Sequence, residues 1–276
     1  MSGLPAGVPV GRIVPLEGRG EIFFRHHVHP TGPTVLLLHG WTASADLQWW
    51  PVYERLGRTH TIVAPDHRGH GRGLRAPFSL EAVADDCAAL VVALGAGPVI
   101  AVGYSMGGPL ALLLAQRHPH LVSGLVLEAT ALEFPSRARF VVRPLLQPTL
   151  RSRFGAFIAR RGLRTAGAQA PSTRERAEWL AGELRRADPV ALAEAADALY
   201  RFDANPWAGS LGVPAVVVLT TRDRLVPPAR QRALAQALRA EVVELHGDHL
   251  VNWYQPEAFA AANECAVAAV AARVLV

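Results

Sequence analysis

Val99-Ile-Ala-Val-Gly-Tyr-Ser105-Met-Gly-Gly-Pro-Leu-Ala-Leu-Leu-Leu114 runs from one apolar stretch, through Gly103-Tyr-Ser105-Met-Gly107, directly into a second. This order predicts a buried strand, a tight turn and a helix. In a G-x-S-x-G turn between strand and helix, the serine is forced into a strained backbone conformation. Flanking glycines remove the side chains that would collide across it. The Ser105 hydroxyl is thereby presented at the end of a sheet. The five-residue pattern alone would describe any small-residue turn; the flanking strand and helix make it a nucleophile elbow.

Outward from this turn, apolar runs bounded by turn residues recur at Glu21–His27, Thr34–His39, His60–Asp66, Val122–Glu128, Pro214–Thr220 and Glu241–His246. Helical patterns fill most of the gaps, over Trp49–Gly57, Ser79–Leu94, Met106–Arg117, Pro227–Leu238 and Pro256–Ala272. Runs apolar on both faces, such as Thr34-Val-Leu-Leu-Leu-His39, suit strands covered by helices on either side. The expected fold is therefore α/β, a doubly wound, mostly parallel sheet. Between Ala131 and Asn205 the strand signals stop and the chain turns Arg- and Ala-rich with scattered prolines. Residues 131–206 read as a helical cap inserted into a core formed by residues 1–130 and 207–276.

The chain has 276 residues, half of them hydrophobic, enough for a large buried core. Ala88–Gln116 carries no charge, yet Gly95-Ala-Gly-Pro98 and Gly107-Gly-Pro109 break it below membrane-spanning length. All 28 basic residues are Arg, so a Schiff-base lysine is excluded. Cys87 and Cys265 lack metal or redox spacing and read as small core residues in a reducing compartment. The first dozen residues have no basic stretch leading into an apolar one, so a cytoplasmic location is expected.

A serine hydroxyl needs a base within hydrogen-bond reach and a third group to fix the base's tautomer. Val216-Val-Val-Leu-Thr-Thr-Arg-Asp223 supplies a carboxylate just past one buried strand, and Glu241-Val-Val-Glu-Leu-His-Gly-Asp-His249 a histidine just past the next. The chain here resembles the α/β-hydrolase family over nearly its whole length. His39-Gly-Trp41 is similar to the family's oxyanion loop, and Asp66-His-Arg-Gly-His-Gly71 to the turn after the following strand. Gly247-Asp-His249, with Pro256-Glu-Ala-Phe259 downstream, is similar to its histidine loop and last helix. The resemblance implies Ser105 as nucleophile, Asp223 as orienting acid and His249 as base. It places the oxyanion donors at the main-chain N–H groups of Met106 and Trp41. His246 and Glu128 are the competing base and acid. Thr221 and Arg222 occupy the turn where the family often carries a glycine.

No cofactor is implied. His26, His27 and His29, and His67 with His70, have no Cys or carboxylate at ligand spacing and read as strand-end and turn residues. Eight arginines and no acid lie between Ser136 and Thr165, and residues 131–205 hold 13 Arg against 8 acids, an excess equal to the whole formal charge of +5. A solvated outer face accounts for this, and so does attraction of an anionic or amphiphilic acyl substrate. No nucleic-acid motif accompanies the charge. The expected chemistry is hydrolysis of a carboxylic ester through an acyl-enzyme. Thioester, lactone and carbon–carbon hydrolysis and cofactor-free perhydrolysis use the same triad, and a non-catalytic binding protein would use the same fold.

Overall fold

The computed structural model of the protein describes residues 7–134, 179, 182–183 and 185–274. Eight strands make one sheet: β1 (Val10–Leu16), β2 (Gly20–His27), β3 (Thr34–Leu38), β4 (Thr61–Pro65), β5 (Val99–Tyr104), β6 (Val122–Glu128), β7 (Ala215–Thr220) and β8 (Glu241–Leu245). Their spatial order is β1-β2-β4-β3-β5-β6-β7-β8. Only β2 runs against the others, pairing antiparallel with β1 and with β4. Connections leave β3 first toward β4 on one side and then return to β5 on the other. The carboxyl ends of β3 and β5 thus form a topological switch point, where α/β sheets open a crevice.

The period-2 burial of β3 sorts the helices into two layers. Leu36 and Leu38 pack with α3 (Leu80–Ala93), α4 (Gly107–Arg117) and α6 (Pro228–Leu238). Val35 and Leu37 pack with α1 (Ala45–Trp49), α2 (Tyr53–Gly57) and α8 (Pro256–Val274). α5 (Pro189–Arg201) lies in the long connection between β6 and β7, and α7 (Val251–Tyr254) follows β8. Among the described residues, no helix is long and apolar enough to cross a membrane.

Several elements differ from expectation. β1 escaped the sequence reading because Gly11 and Pro15 break its pattern; it is an edge strand with Val10 and Ile13 exposed, and a proline is tolerated at an edge. Of the helix expected over Trp49–Gly57 only α2 (Tyr53–Gly57) forms, and an unexpected α1 (Ala45–Trp49) ends where that helix was to begin. Pro51 between them lacks the N–H that a continuous helix needs. α7 was also not anticipated. Cys87 is buried as expected, whereas Cys265 is exposed on the outer side of α8.

Between β6 and β7, Glu133 bridges Asp203 and the Ala204 N–H donates to the Leu132 carbonyl at 2.8 Å, so the chain after β6 and the chain after α5 lie side by side. The arginine-rich stretch between Ser136 and Thr165 lies outside the described residues.

Candidate active site

Ser105 sits at the end of β5 with φ 52°, in the left-handed region that an L-residue adopts only under constraint. Its N–H donates to the Glu128 carbonyl at 2.9 Å, and its carbonyl accepts from Thr130 Oγ1 at 2.8 Å. The glycines of the motif are sterically required: a Cβ on Gly103 would stand 2.2 Å from the Gly107 carbonyl oxygen, and one on Gly107 2.0 Å from that of Leu38. Backbone thus passes against backbone on both sides of the serine.

His249, in the loop between β8 and α7, brings Nε2 to 3.0 Å from Ser105 Oγ. Its Nδ1 lies 2.7 Å from Asp223 Oδ2, in the loop after β7. Asp223 is buried, and Thr220 Oγ1 donates to the same Oδ2 at 3.0 Å. Its Oδ1 accepts from the Leu225 and Val226 N–H groups at 2.8 and 2.9 Å. With four donors around it, this acceptor-only carboxylate fixes Nδ1 of the histidine as the protonated nitrogen, leaving Nε2 to accept from the serine. The turn lacking the usual glycine closes through Arg222, whose N–H donates to the Gly247 carbonyl at 2.9 Å.

Some supporting residues carried no sequence signal. Gln231, fully buried on α6, donates to Thr220 Oγ1 at 2.8 Å and to the Val226 carbonyl at 2.7 Å. It locks the hydroxyl that contacts Asp223. The Tyr104 hydroxyl donates to the His249 carbonyl at 3.0 Å. A polar residue on a helix face reads as solvated until the fold buries it.

The competitors lie elsewhere. His246 is hydrogen-bonded through Nδ1 to Thr221 Oγ1 at 3.1 Å, on the exposed side of the loop. Glu128 is buried beneath the elbow, and its Oε2 accepts from Asn263 Nδ2 at 3.3 Å. Burial pushes its carboxyl up to about 8 against the pull of that hydrogen bond.

The loop after β3 passes beside the serine: a Cβ on Gly40 would lie 3.4 Å from Ser105 Cβ. Trp41 follows it in that loop, and Met106 opens α4. Among the described residues, neither main-chain N–H has a backbone or side-chain acceptor. His39, His67 and His70 form a buried cluster behind this loop, with the His39 and His67 rings stacked at 3.9 Å. Among the described residues, no group of three or more His, Cys, Asp or Glu could hold a metal ion.

A serine, histidine and carboxylate hydrogen-bonded in this order at a sheet's carboxyl edge form an arrangement that can carry out acyl transfer. The model of the alpha/beta hydrolase fold family matches residues 33–256. The chain belongs to the α/β-hydrolase family. Among relatives of this α/β hydrolase is the pimeloyl-(acyl-carrier protein) methyl ester esterase of Chromobacterium violaceum, 33% identical over 214 residues, which are 75% of this chain and 82% of the relative. A thermophilic esterase from Thermogutta terrifontis superimposes with a TM-score of 0.78 at 25% identity, covering 95% of this chain and 99% of that one. The enol-lactonase from Burkholderia xenovorans LB400 shares the fold, with a TM-score of 0.79 at 23% identity over 93% of this chain and 100% of that one.

Proposed function

We propose that this α/β hydrolase cleaves a carboxylic ester through an acyl-enzyme on Ser105. The observation that carries this reading is the unbroken path from Ser105 Oγ to His249 to Asp223, with links of 3.0 and 2.7 Å. His249 Nε2 takes the serine proton as Oγ attacks the ester carbonyl. Asp223 holds the imidazole in the required tautomer and stabilises the imidazolium that forms. The oxyanion of the tetrahedral intermediate is received by the N–H groups of Met106 and Trp41, each worth about 3 kcal/mol of barrier. Collapse breaks the C–O bond, and His249 returns the proton to the departing alcohol. Water then enters, gives its proton to the same nitrogen and attacks the acyl carbon; collapse breaks the bond from the acyl carbon to Ser105 Oγ, which takes the proton back from His249 as the acid leaves.

The segment over residues 131–206 acts in this reading as a cap that builds the acyl pocket. Its arginine excess favours an acyl substrate bearing an anionic or amphiphilic group. The esterase named above, whose substrate is an acyl methyl ester, is in keeping with this.

The test is hydrolysis of p-nitrophenyl esters from acetate to palmitate, with Ser105→Ala as the blank. Serine-dependent turnover with a chain-length optimum is expected. Absence of turnover, with Ser105 still labelled by a phosphonate, would transfer the assignment to thioester or carbon–carbon hydrolysis.

A further inference from the structure

The loop carrying Trp41 is strained, and part of what fastens it comes from outside the core. Thr42 has φ 65°, a region that disfavours a β-branched residue. The Ala43 N–H donates to the Gly40 carbonyl at 3.3 Å, closing a turn in which Thr42 holds the third position, the one glycine usually fills when φ is positive. Such a conformation persists only where the surroundings over-determine it.

Two of those surroundings belong to the inserted segment. The indole Nε1–H of Trp41 donates to the Leu192 carbonyl on α5 at 2.9 Å. Ser44 Oγ accepts from the Leu47 N–H at 3.3 Å, capping α1, and donates to Glu183 Oε2 at 3.2 Å. Both posts are themselves anchored. Arg72 grips Glu183 at 2.6 and 3.2 Å. The Asp188 N–H at the start of α5 donates to the Gly69 carbonyl at 2.7 Å, and Glu194 Oε2 accepts from the Phe78 N–H at 2.8 Å. Gly69 lies so close to α5 that a Cβ there would stand 1.9 Å from Ala191 Cβ. Leu192 is therefore a fixed point relative to the core.

We infer that Trp41 is a positioning residue: its indole, tethered to the Leu192 carbonyl of the inserted segment, holds its own main-chain N–H beside Ser105. This rests on the reading of that N–H as an oxyanion donor. The inserted segment then contributes to the rate of the chemical step as well as to the shape of the acyl pocket. A loosened tether lets Thr42 relax and withdraws the amide from the oxyanion, a loss felt in the transition state more than in the bound substrate.

Trp41→Phe and Trp41→His separate this role from packing. In histidine, Nε2 of the five-membered ring falls where indole Nε1 stands, so the donor survives while the benzo ring is lost; phenylalanine keeps an apolar ring and loses the donor. With a p-nitrophenyl ester at pH 8, Trp41→Phe should lower kcat roughly fivefold with KM nearly unchanged, the scale of one neutral hydrogen bond. Trp41→His should retain most of kcat. Affinity for a trifluoromethyl ketone, which Ser105 adds to reversibly to place an oxyanion at the same point, should fall in Trp41→Phe by the same factor. Equal kcat in the two variants, or a better phenylalanine than histidine, overturns the tether. Ser105→Ala runs beside them: a loss of several orders of magnitude keeps the hydrolase reading standing whatever Trp41 does, and turnover near that of the parent would overturn that reading and this inference together.

Discussion

Two carboxylates lie at or just past the carboxyl ends of adjacent strands, Glu128 closing β6 and Asp223 in the loop after β7, and their surroundings differ. Asp223 receives two loop N–H groups, a threonine hydroxyl and the His249 ring. Glu128 accepts from the Asn263 amide, and burial favours its neutral form. Asp223→Asn should cost about 10⁴ in kcat by leaving the imidazole in the wrong tautomer, with the melting temperature nearly unchanged. Glu128→Gln should leave kcat near that of the parent. Its effect is on stability: the folded carboxyl titrates near 8 rather than 4.5, so the fold binds the extra proton and loses stability as pH rises through that window. The glutamine variant, which has no proton to lose, should gain on the parent in denaturant melts between pH 5 and 8. An active Asp223→Asn paired with a dead Glu128→Gln would reverse the two assignments.

At the scale of elements, the site is a product of close approach between β5, α4 and β3. Gly107 lets α4 start against the Leu38 carbonyl, and Gly108 makes room for Thr130, whose hydroxyl holds the Ser105 carbonyl. Gly107→Ala must push α4 off the sheet edge or unwind its first turn. Overpacking of this order costs about 1–3 kcal/mol. Since the displaced turn carries Met106, kcat should fall more steeply than stability does, which paired urea titrations and ester kinetics on the soluble variant would resolve. A variant with unchanged kcat would mean that the elbow tolerates more backbone movement than these distances allow.

For the molecule as a whole, the buried histidine cluster behind the loop after β3 is expected to weaken the fold in acid. Burial lowers His67 to about 3 and His70 to about 4, and takes His39 well below its ordinary value. Their stabilising contribution is complete above about pH 6.5 and is lost as pH falls toward those values, because the unfolded chain binds the protons first. Asp66, raised to about 7 by burial, works in the opposite direction. A single replacement therefore isolates the effect better than the parent's own profile. His67→Leu keeps a comparable volume and removes two ring nitrogens that have no partner among the described residues. Between pH 6.5 and 5 it should escape a loss of about 2 kcal/mol that the parent suffers. Parallel pH profiles of the two proteins would remove the cluster from the account of acid stability.

What the sequence determined by itself is whatever local pattern encodes. Apolar runs of strand length marked seven of the eight strands, glycine spacing marked the elbow, and the order serine, aspartate, histidine marked the candidate triad. The strands and the elbow depend on residues near one another in the chain, whose periodicity reports which face will be buried; the triad was named from the resemblance of three separate loops to those of a known family. The edge strand β1 was illegible because only Val14 and Leu16 at its end pack on the core, while Val10 and Ile13 stay exposed. Only the tertiary structure decided which partners meet. It brought His249 to Ser105 across 144 residues, set Asp223 rather than Glu128 against the imidazole, buried Gln231 behind Thr220, and seated the Trp41 indole on the Leu192 carbonyl. Contacts between distant residues depend on the register of strands and the closure of long loops, and neither leaves a periodic trace in the chain.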